Sequence, residues 1–358
     1  MKNPLILGAG PAGCAAAIAL ARSGAKPLIV ERTRETGDAL CGGFVSWQTL
    51  AQLERLGVGG LEAHPIAEVR VFHREQRATA RLPDLAIGVS RHRLDTVMQG
   101  LAQRAGATLE RGIAARSYAD GILKTDSRDF VPEALFLATG KHDVRGFGRP
   151  KPTGDAPMGL RIRLAPHPAL RKLLVHAIEL HLFEGGYAGL LLQEDDSANL
   201  CMALRKSRFT EAAGDAATLL RQLGGAHPQL GERLAFLTGA PAADAIAAVP
   251  YGWRTDTTEA GLFRLGDQAA VIPSLAGEGM GIAIASGAAA AAAYLEGGPA
   301  AAPQFQRNFA ARTRRPVAVA SMLWHQGERP AMARMAVPLL GAFPALAGFA
   351  ARMTRIGD

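Results

Sequence analysis

The stretch that decides the fold is PLILGAGPAGCAAAIALARSGAKPLIVER, residues 4–32. An apolar run, Pro4 to Leu7, ends in the glycine turn GAGPAG at residues 8–13. A helix-forming stretch, Cys14 to Arg22, follows. Strand, glycine turn and helix in this order form the context in which G-x-G-x-x-G signals dinucleotide binding. Gly8 permits the tight turn, Gly10 admits a pyrophosphate to the backbone, and Gly13 lets the helix pack close to the strand. The helix N-terminus offers free N–H groups and a positive dipole to phosphates. Ser23-Gly24 stops the helix, and Lys26 to Val30 reads as a second strand. Glu31, at its end, stands where an acid bonds ribose hydroxyls and disfavours a 2′-phosphate.

Working outward, two further segments separate FAD from NAD. Phe263 to Asp267 reads as a strand ending in Gly266-Asp267, with Asp267 placed to accept from a ribityl hydroxyl. PSLAGEGMG, residues 273–281, then opens an alanine-rich helix. The N–H groups around Gly279, Met280 and Gly281 can face the pyrimidine edge of a flavin and stabilise negative charge there. Ser90 to Asp95 leads into another helix, with apolar residues at Leu94, Val97, Met98, Leu101 and Ala102. Arg91 is the candidate for a phosphate or ring contact, and Arg93 reads as surface.

Composition sets the outer limits. With 358 residues, 48% hydrophobic and 20% charged, the chain can bury a large core and suits about two domains. Cys14, Cys41 and Cys201 form no CxxC pair, so neither a disulfide framework nor a metal site is expected, and a reducing, cytoplasmic setting is. The formal charge of +8 includes a late cluster, Arg312, Arg314, Arg315, Arg329 and Arg334. No recognition motif for nucleic acid accompanies it, so it reads as a solvated basic face able to attract an anionic cofactor, a substrate or a membrane surface. Ile282 to Leu295 is too short for a membrane span and reads as a buried helix.

These residues resemble the flavoprotein superfamily that includes p-hydroxybenzoate hydroxylase and the geranylgeranyl reductases. The matching elements are residues 8–13, including Pro11 and Ala12, with Glu31-Arg32; Arg91 with Leu94-Asp95; Ala138-Thr139-Gly140; and Gly266-Asp267 with its glycine-rich helix start. Cys41-Gly42-Gly43-Phe44 looks like the Cys-Gly motif that the reductase-like branch carries near the flavin. GEGMGIAIASG, residues 277–287, also leans to that branch, since aromatic hydroxylases usually carry an Asn at the position of Gly281. Thr139 replaces an acid that helps hydroxylases organise FAD and pyridine nucleotide.

The resemblance implies an α/β fold: a Rossmann-like, three-layer FAD domain (1–150 plus 255–300), an inserted antiparallel-sheet substrate domain (151–254, with part of 45–90 on the substrate side) and C-terminal helices (301–358). Segments 155–165 and 178–206 alternate like half-buried strands, turning at Gly185-Gly186. Their Leu, Phe, Met and Tyr content suggests a lipophilic or aromatic substrate. Residues 317–358 read as proline-broken helices that cap the pocket or lie on a membrane. Cys41 and Tyr187 are the candidate catalytic residues, whereas His181 and Trp253 read as structural. The leading expectation is an FAD-dependent reductase of a C=C bond in an isoprenoid-like substrate, with NAD(P)H or another reductant, or an electron-donor partner, supplying electrons. A monooxygenase on a phenolic or polyketide-like substrate comes second. A halogenase and a non-catalytic flavoprotein rank lower.

Overall fold

The computed structural model describes residues 3–357. A five-stranded parallel sheet carries the order Leu262–Arg264, Leu135–Leu137, Leu5–Leu7, Leu28–Glu31, Thr108–Arg111. Leu5 pairs with Leu28 on one side and with Leu135 on the other, so the glycine turn leaves from the middle of the sheet. Strands Leu5–Leu7 and Leu135–Leu137 are short and buried on both faces, which is why they read as apolar runs without alternation.

Helix Pro11–Arg22 covers this sheet and packs against the long helix Gly279–Gly297. The contact is made backbone to backbone. A Cβ on Gly287 would stand 2.2 Å from the Ala12 carbonyl oxygen and 2.9 Å from the Ala16 nitrogen. The run of alanines on both helices permits that approach, and the long helix buries Met280, Ile282, Ile284 and Ala290. The alanine-rich stretch is thus a core helix.

The second sheet has eight strands, from Ala243–Ile246 through Pro157–Leu164, Ala198–Arg205, Gly186–Leu192, His176–Phe183, His64–His73 and Gln76–Gly88 to Phe44–Val45. Within 157–246 the strands pair antiparallel throughout, as expected for the inserted domain. The observed sheet is mixed, because His176–Phe183 pairs in parallel with His64–His73. That pairing joins the strands of the 44–88 region to those of the 157–246 region.

The strands expected to be half-buried are buried on both faces. Along Gly186–Leu192, Ala188, Leu190 and Leu192 meet a core completed by Leu219, Leu223 and Leu230 of the helices beyond. The alternate residues Tyr187, Gly189 and Leu191 face a cavity. Both sides are apolar because both are covered. The C-terminal part forms helices Ala302–Gly327, Pro330–Ala342 and Ala345–Met353, with breaks where Pro330 and Pro344 fall.

Candidate functional site

At the glycine turn, the glycines are required by space. Gly8 has φ +110° and a Cβ there would lie 2.5 Å from the Ala138 carbonyl oxygen. A Cβ on Gly13 would lie 2.0 Å from the carbonyl oxygen of Gly8, so Gly13 sets the helix against the strand and does not itself line the cavity. Gly10 is different: its missing Cβ points at Nη2 of Arg91, 3.2 Å away. Gly10 caps helix Pro11–Arg22 without a side-chain bond, and the first turn holds no acid. A capless N-terminus beside a guanidinium is suited to an anion.

Glu31 accepts from Ala9 N at 2.9 Å and from Thr33 N at 3.0 Å, which fixes its carboxylate at the lip of the crevice. Arg32 stands next to it, with Nη2 2.7 Å from His142 Nε2. Burial and the Arg32 charge lower the His142 pKa, so the ring is neutral and can accept this bond.

Arg91 lines the crevice and is held by a two-point pair to Asp95, at 2.9 and 2.7 Å. Gln99, one turn further along the same helix, donates to the Ala9 carbonyl at 2.8 Å and accepts from Thr36 Oγ1 at 2.8 Å. Sequence reading missed Gln99, Thr36 and Arg111, all of which line the crevice or brace it. The i, i+4, i+8 spacing of Arg91, Asp95 and Gln99 on one helix face was the available signal. Arg93, read as surface, instead ties down a loop by donating to Gly60 O at 2.7 Å and pairing with Glu62.

On the opposite wall, the strand read as Phe263 to Asp267 stops at Arg264, and residues 266–268 form a 3₁₀ turn around Gly266 at φ +54°. Gly266 N donates to Ser286 Oγ at 2.8 Å, and Lys141 Nζ stands 3.6 Å from the Asp267 carboxylate. Gly277, Gly279 and Met280 line the cavity, but Gly281 does not. A Cβ on Gly281 would meet Glu278 Oε1 at 2.6 Å and Thr49 Oγ1 at 2.7 Å, so this glycine makes room for a buried carboxylate. Glu278 pairs with Arg355 and accepts from Ser46 Oγ at 3.1 Å and Ile356 N at 3.2 Å. Arg355 also donates to the carbonyls of Ala276 and Gly277, at 2.7 and 3.2 Å.

The loop with Cys41 and Gly42 is anchored by Asn199, whose Nδ2 donates to their two carbonyls at 3.0 and 2.8 Å. Thr139 donates to His142 O at 2.7 Å, and Gln268 donates to Gly140 O at 2.9 Å, so both residues belong to a braced turn on the crevice wall. His181 is buried in a bond with Glu179 and stacked on Phe72, away from the cavity. Trp253 does not line the cavity either.

All these walls belong to one cavity of about 950 Å³, which runs from the glycine turn across the large sheet to the C-terminal helices. Where it meets the sheet, Tyr187 donates to Ser274 Oγ at 2.9 Å, and Tyr251 Oη lies 2.7 Å from the same oxygen. Burial raises both phenol pKa values well above the ordinary range, so both hold their protons at neutral pH. Trp324 packs edge-on against both rings.

A glycine turn at a capless helix N-terminus, an acid fixed at the crevice lip and a second glycine-rich helix start across the crevice are the features a flavin dinucleotide site requires. Residues 5–120 match the family described as FAD dependent oxidoreductase. Menaquinone reductase of Mycolicibacterium smegmatis is 26% identical over 322 residues, covering 82% of this chain and 76% of that protein. Among solved structures, PqsL of Pseudomonas aeruginosa in complex with 2-aminobenzoylacetate superposes with a TM-score of 0.75 at 18% identity, over 92% of this chain and 98% of its own. A geranylgeranyl bacteriochlorophyll reductase-like protein from Thermoplasma acidophilum gives a TM-score of 0.73 at 18% identity, over 99% and 93%. The family match thus rests on residues 5–120, the part of the chain that carries the glycine turn, Glu31 and Arg91.

The residues present fit that cofactor: the cradle at Gly10 is one that a side chain would fill. Gly10→Val should therefore purify folded but nearly colourless. The ratio of flavin to protein absorbance measures this, and a fully yellow variant would overturn the assignment of this turn.

Proposed function

We propose that the protein reduces a C=C bond in a lipophilic, isoprenoid-like substrate, such as the polyprenyl chain of a menaquinone. The observation that carries this reading is the apolar continuation of the crevice. Beyond the glycine turns, the cavity wall is built from Val69, Val71, Ile178, Leu180, Leu182 and Leu191, with Leu340 of the C-terminal helices. A wall of branched aliphatics binds a hydrocarbon chain by area and offers few polar groups to orient a charged substrate. The similarity to menaquinone reductase supports the same class.

Bound FAD would supply the electron pair, delivered as hydride to one carbon of the double bond. The chain's own residues then have three tasks. The aliphatic wall holds the substrate and excludes water. The N-terminus of helix Gly279–Gly297 offers N–H groups and a positive dipole at the crevice wall. The hydrogen-bonded group Tyr187, Ser274 and Tyr251 presents protonated hydroxyls to the cavity, and we assign the proton for the second carbon to Tyr187 Oη. Cys41 lines the same cavity and stands as a substrate or flavin contact.

The deciding experiment is anaerobic turnover by the chemically reduced holoenzyme with isoprenoid quinones and polyprenyl lipids. A product two hydrogens heavier, formed without oxygen, is expected. Product formed only with oxygen, and heavier by one oxygen atom, would replace this reading with a monooxygenase.

A further inference from the structure

Helices Pro330–Ala342 and Ala345–Met353 form a hairpin bent by 114° across Phe343 and Pro344. Its inner positions, Ala336, Leu340, Ala347 and Ala351, line the cavity. Apart from Met332, which reaches both, its exposed large side chains do not. Of the ten large hydrophobic side chains exposed among the described residues, six lie between Met332 and Phe349. Met335 is 69% exposed, Phe343 60% and Phe349 61%, and Leu339 and Leu346 continue the same ridge. A contiguous apolar ridge of this kind marks an interaction surface.

The charge beside it identifies the partner. From Arg329 to Gly357 the sequence contains no Asp or Glu, while Arg329, Arg334 and Arg352 are exposed. Glu328, at the border, is largely buried and paired with Arg205, so it does not offset them. Exposed Phe, Leu and Met in a segment whose charged residues are all arginine suit the interface of an anionic bilayer, where rings enter the acyl boundary and guanidinium groups meet phosphates. The helices are too short to cross: 13 residues rise about 20 Å against a hydrocarbon core of about 30 Å.

We propose that the outer face of this hairpin docks on the surface of an anionic lipid membrane, lying in the interface plane. The inner face of the same helices roofs the cavity, so docking places the roof of the substrate cavity against the lipid phase. A membrane-dissolved substrate then reaches the cavity without crossing water, a consequence that rests on the lipophilic substrate proposed above. Docking itself requires no particular reaction.

The test is co-sedimentation of the holoprotein with phosphatidylcholine vesicles containing or lacking phosphatidylglycerol, at low and high salt. Wild type is expected to pellet with the anionic vesicles and to be released by salt. The double variant Phe343→Glu, Phe349→Glu, which leaves the cavity lining intact, is expected to lose about 100-fold in vesicle affinity, roughly tenfold or more per buried ring. Flavin content and melting temperature verify that the variant is folded. Wild type that stays in the supernatant, or a variant that pellets equally well, overturns the proposal. So does a wild-type dimer that fails to bind vesicles and that the variant converts to monomer, since the ridge would then join two copies of the chain. Because the readout needs no turnover, vesicle binding without lipid reduction would refute the proposed reaction and leave the docking face standing.

Discussion

Arg355→Met is expected to destabilise the folded protein by about 3–5 kcal/mol at neutral pH, the usual cost of removing one partner from a buried ion pair. Glu278 is fully buried, and Arg355 is its only cationic partner among the described residues. Methionine fills much of the space between the Phe44 and Trp47 rings, which the guanidinium now faces at 5.9 and 5.1 Å. The loss is therefore electrostatic more than steric. Burial already raises the Glu278 pKa above the ordinary carboxylate range even with arginine present. An acid whose folded pKa exceeds its unfolded value costs stability when ionised, and that cost appears as pH rises through the two values. In the variant the folded value rises further, so the deficit should be largest at alkaline pH and shrink as pH falls. The double variant Glu278→Gln, Arg355→Met should recover much of the loss, although the bonds to the Ala276 and Gly277 carbonyls stay broken. Denaturant midpoints across pH measure all three. A single variant that unfolds with wild type at pH 8 would refute the account.

The second large effect is on turnover. Tyr187→Phe keeps the ring against Trp324 and removes only the hydroxyl that donates to Ser274. If Tyr187 delivers the proton, kcat should fall about 10²-fold, the lower end of what a positioned general acid contributes. Flavin content and melting temperature should hold, and KM should change little because the aliphatic wall is untouched. Tyr251→Phe should cost less, since Tyr251 acts through Ser274. A merely structural role would lower stability and leave kcat and its solvent isotope effect unchanged. Turnover within threefold of wild type would exclude Tyr187 as the donor.

The features legible in the sequence were those whose physics is local. The turn at Gly8, the acid that ends the second strand at Glu31 and the helix after Ser90 each depend on residues within a few positions, so spacing alone reveals them. Gly281 was misplaced because its role depends on Glu278 and Thr49, and Thr49 comes from a helix more than 200 residues away in sequence. Tyr251 and Ser274 were missed for the same reason: the group they form with Tyr187 draws on three separated segments, and the one that holds a motif, residues 273–281, was read for its glycines and not for the Ser274 hydroxyl. The strands within 155–165 and 178–206 were found, but not their double burial, and the strands of 44–88 and 243–246 that complete the sheet were not read. A strand covered on both sides by different elements carries aliphatics at every position, and periodicity cannot say what lies over each face.

The backbone contact of Gly287 with Ala12 and Ala16 has a consequence for how the protein is made. The two helices that enclose the crevice, Pro11–Arg22 and Gly279–Gly297, are far apart in sequence, and a ribosome releases the first long before it begins the second. Until then, helix Pro11–Arg22 leaves its alanine face without a partner and half of the flavin cradle does not exist. Cofactor capture therefore waits until residues 279–297 have been made, and a nascent chain stalled before residue 279 should emerge unable to hold flavin, with the exposed alanine face a target for chaperones.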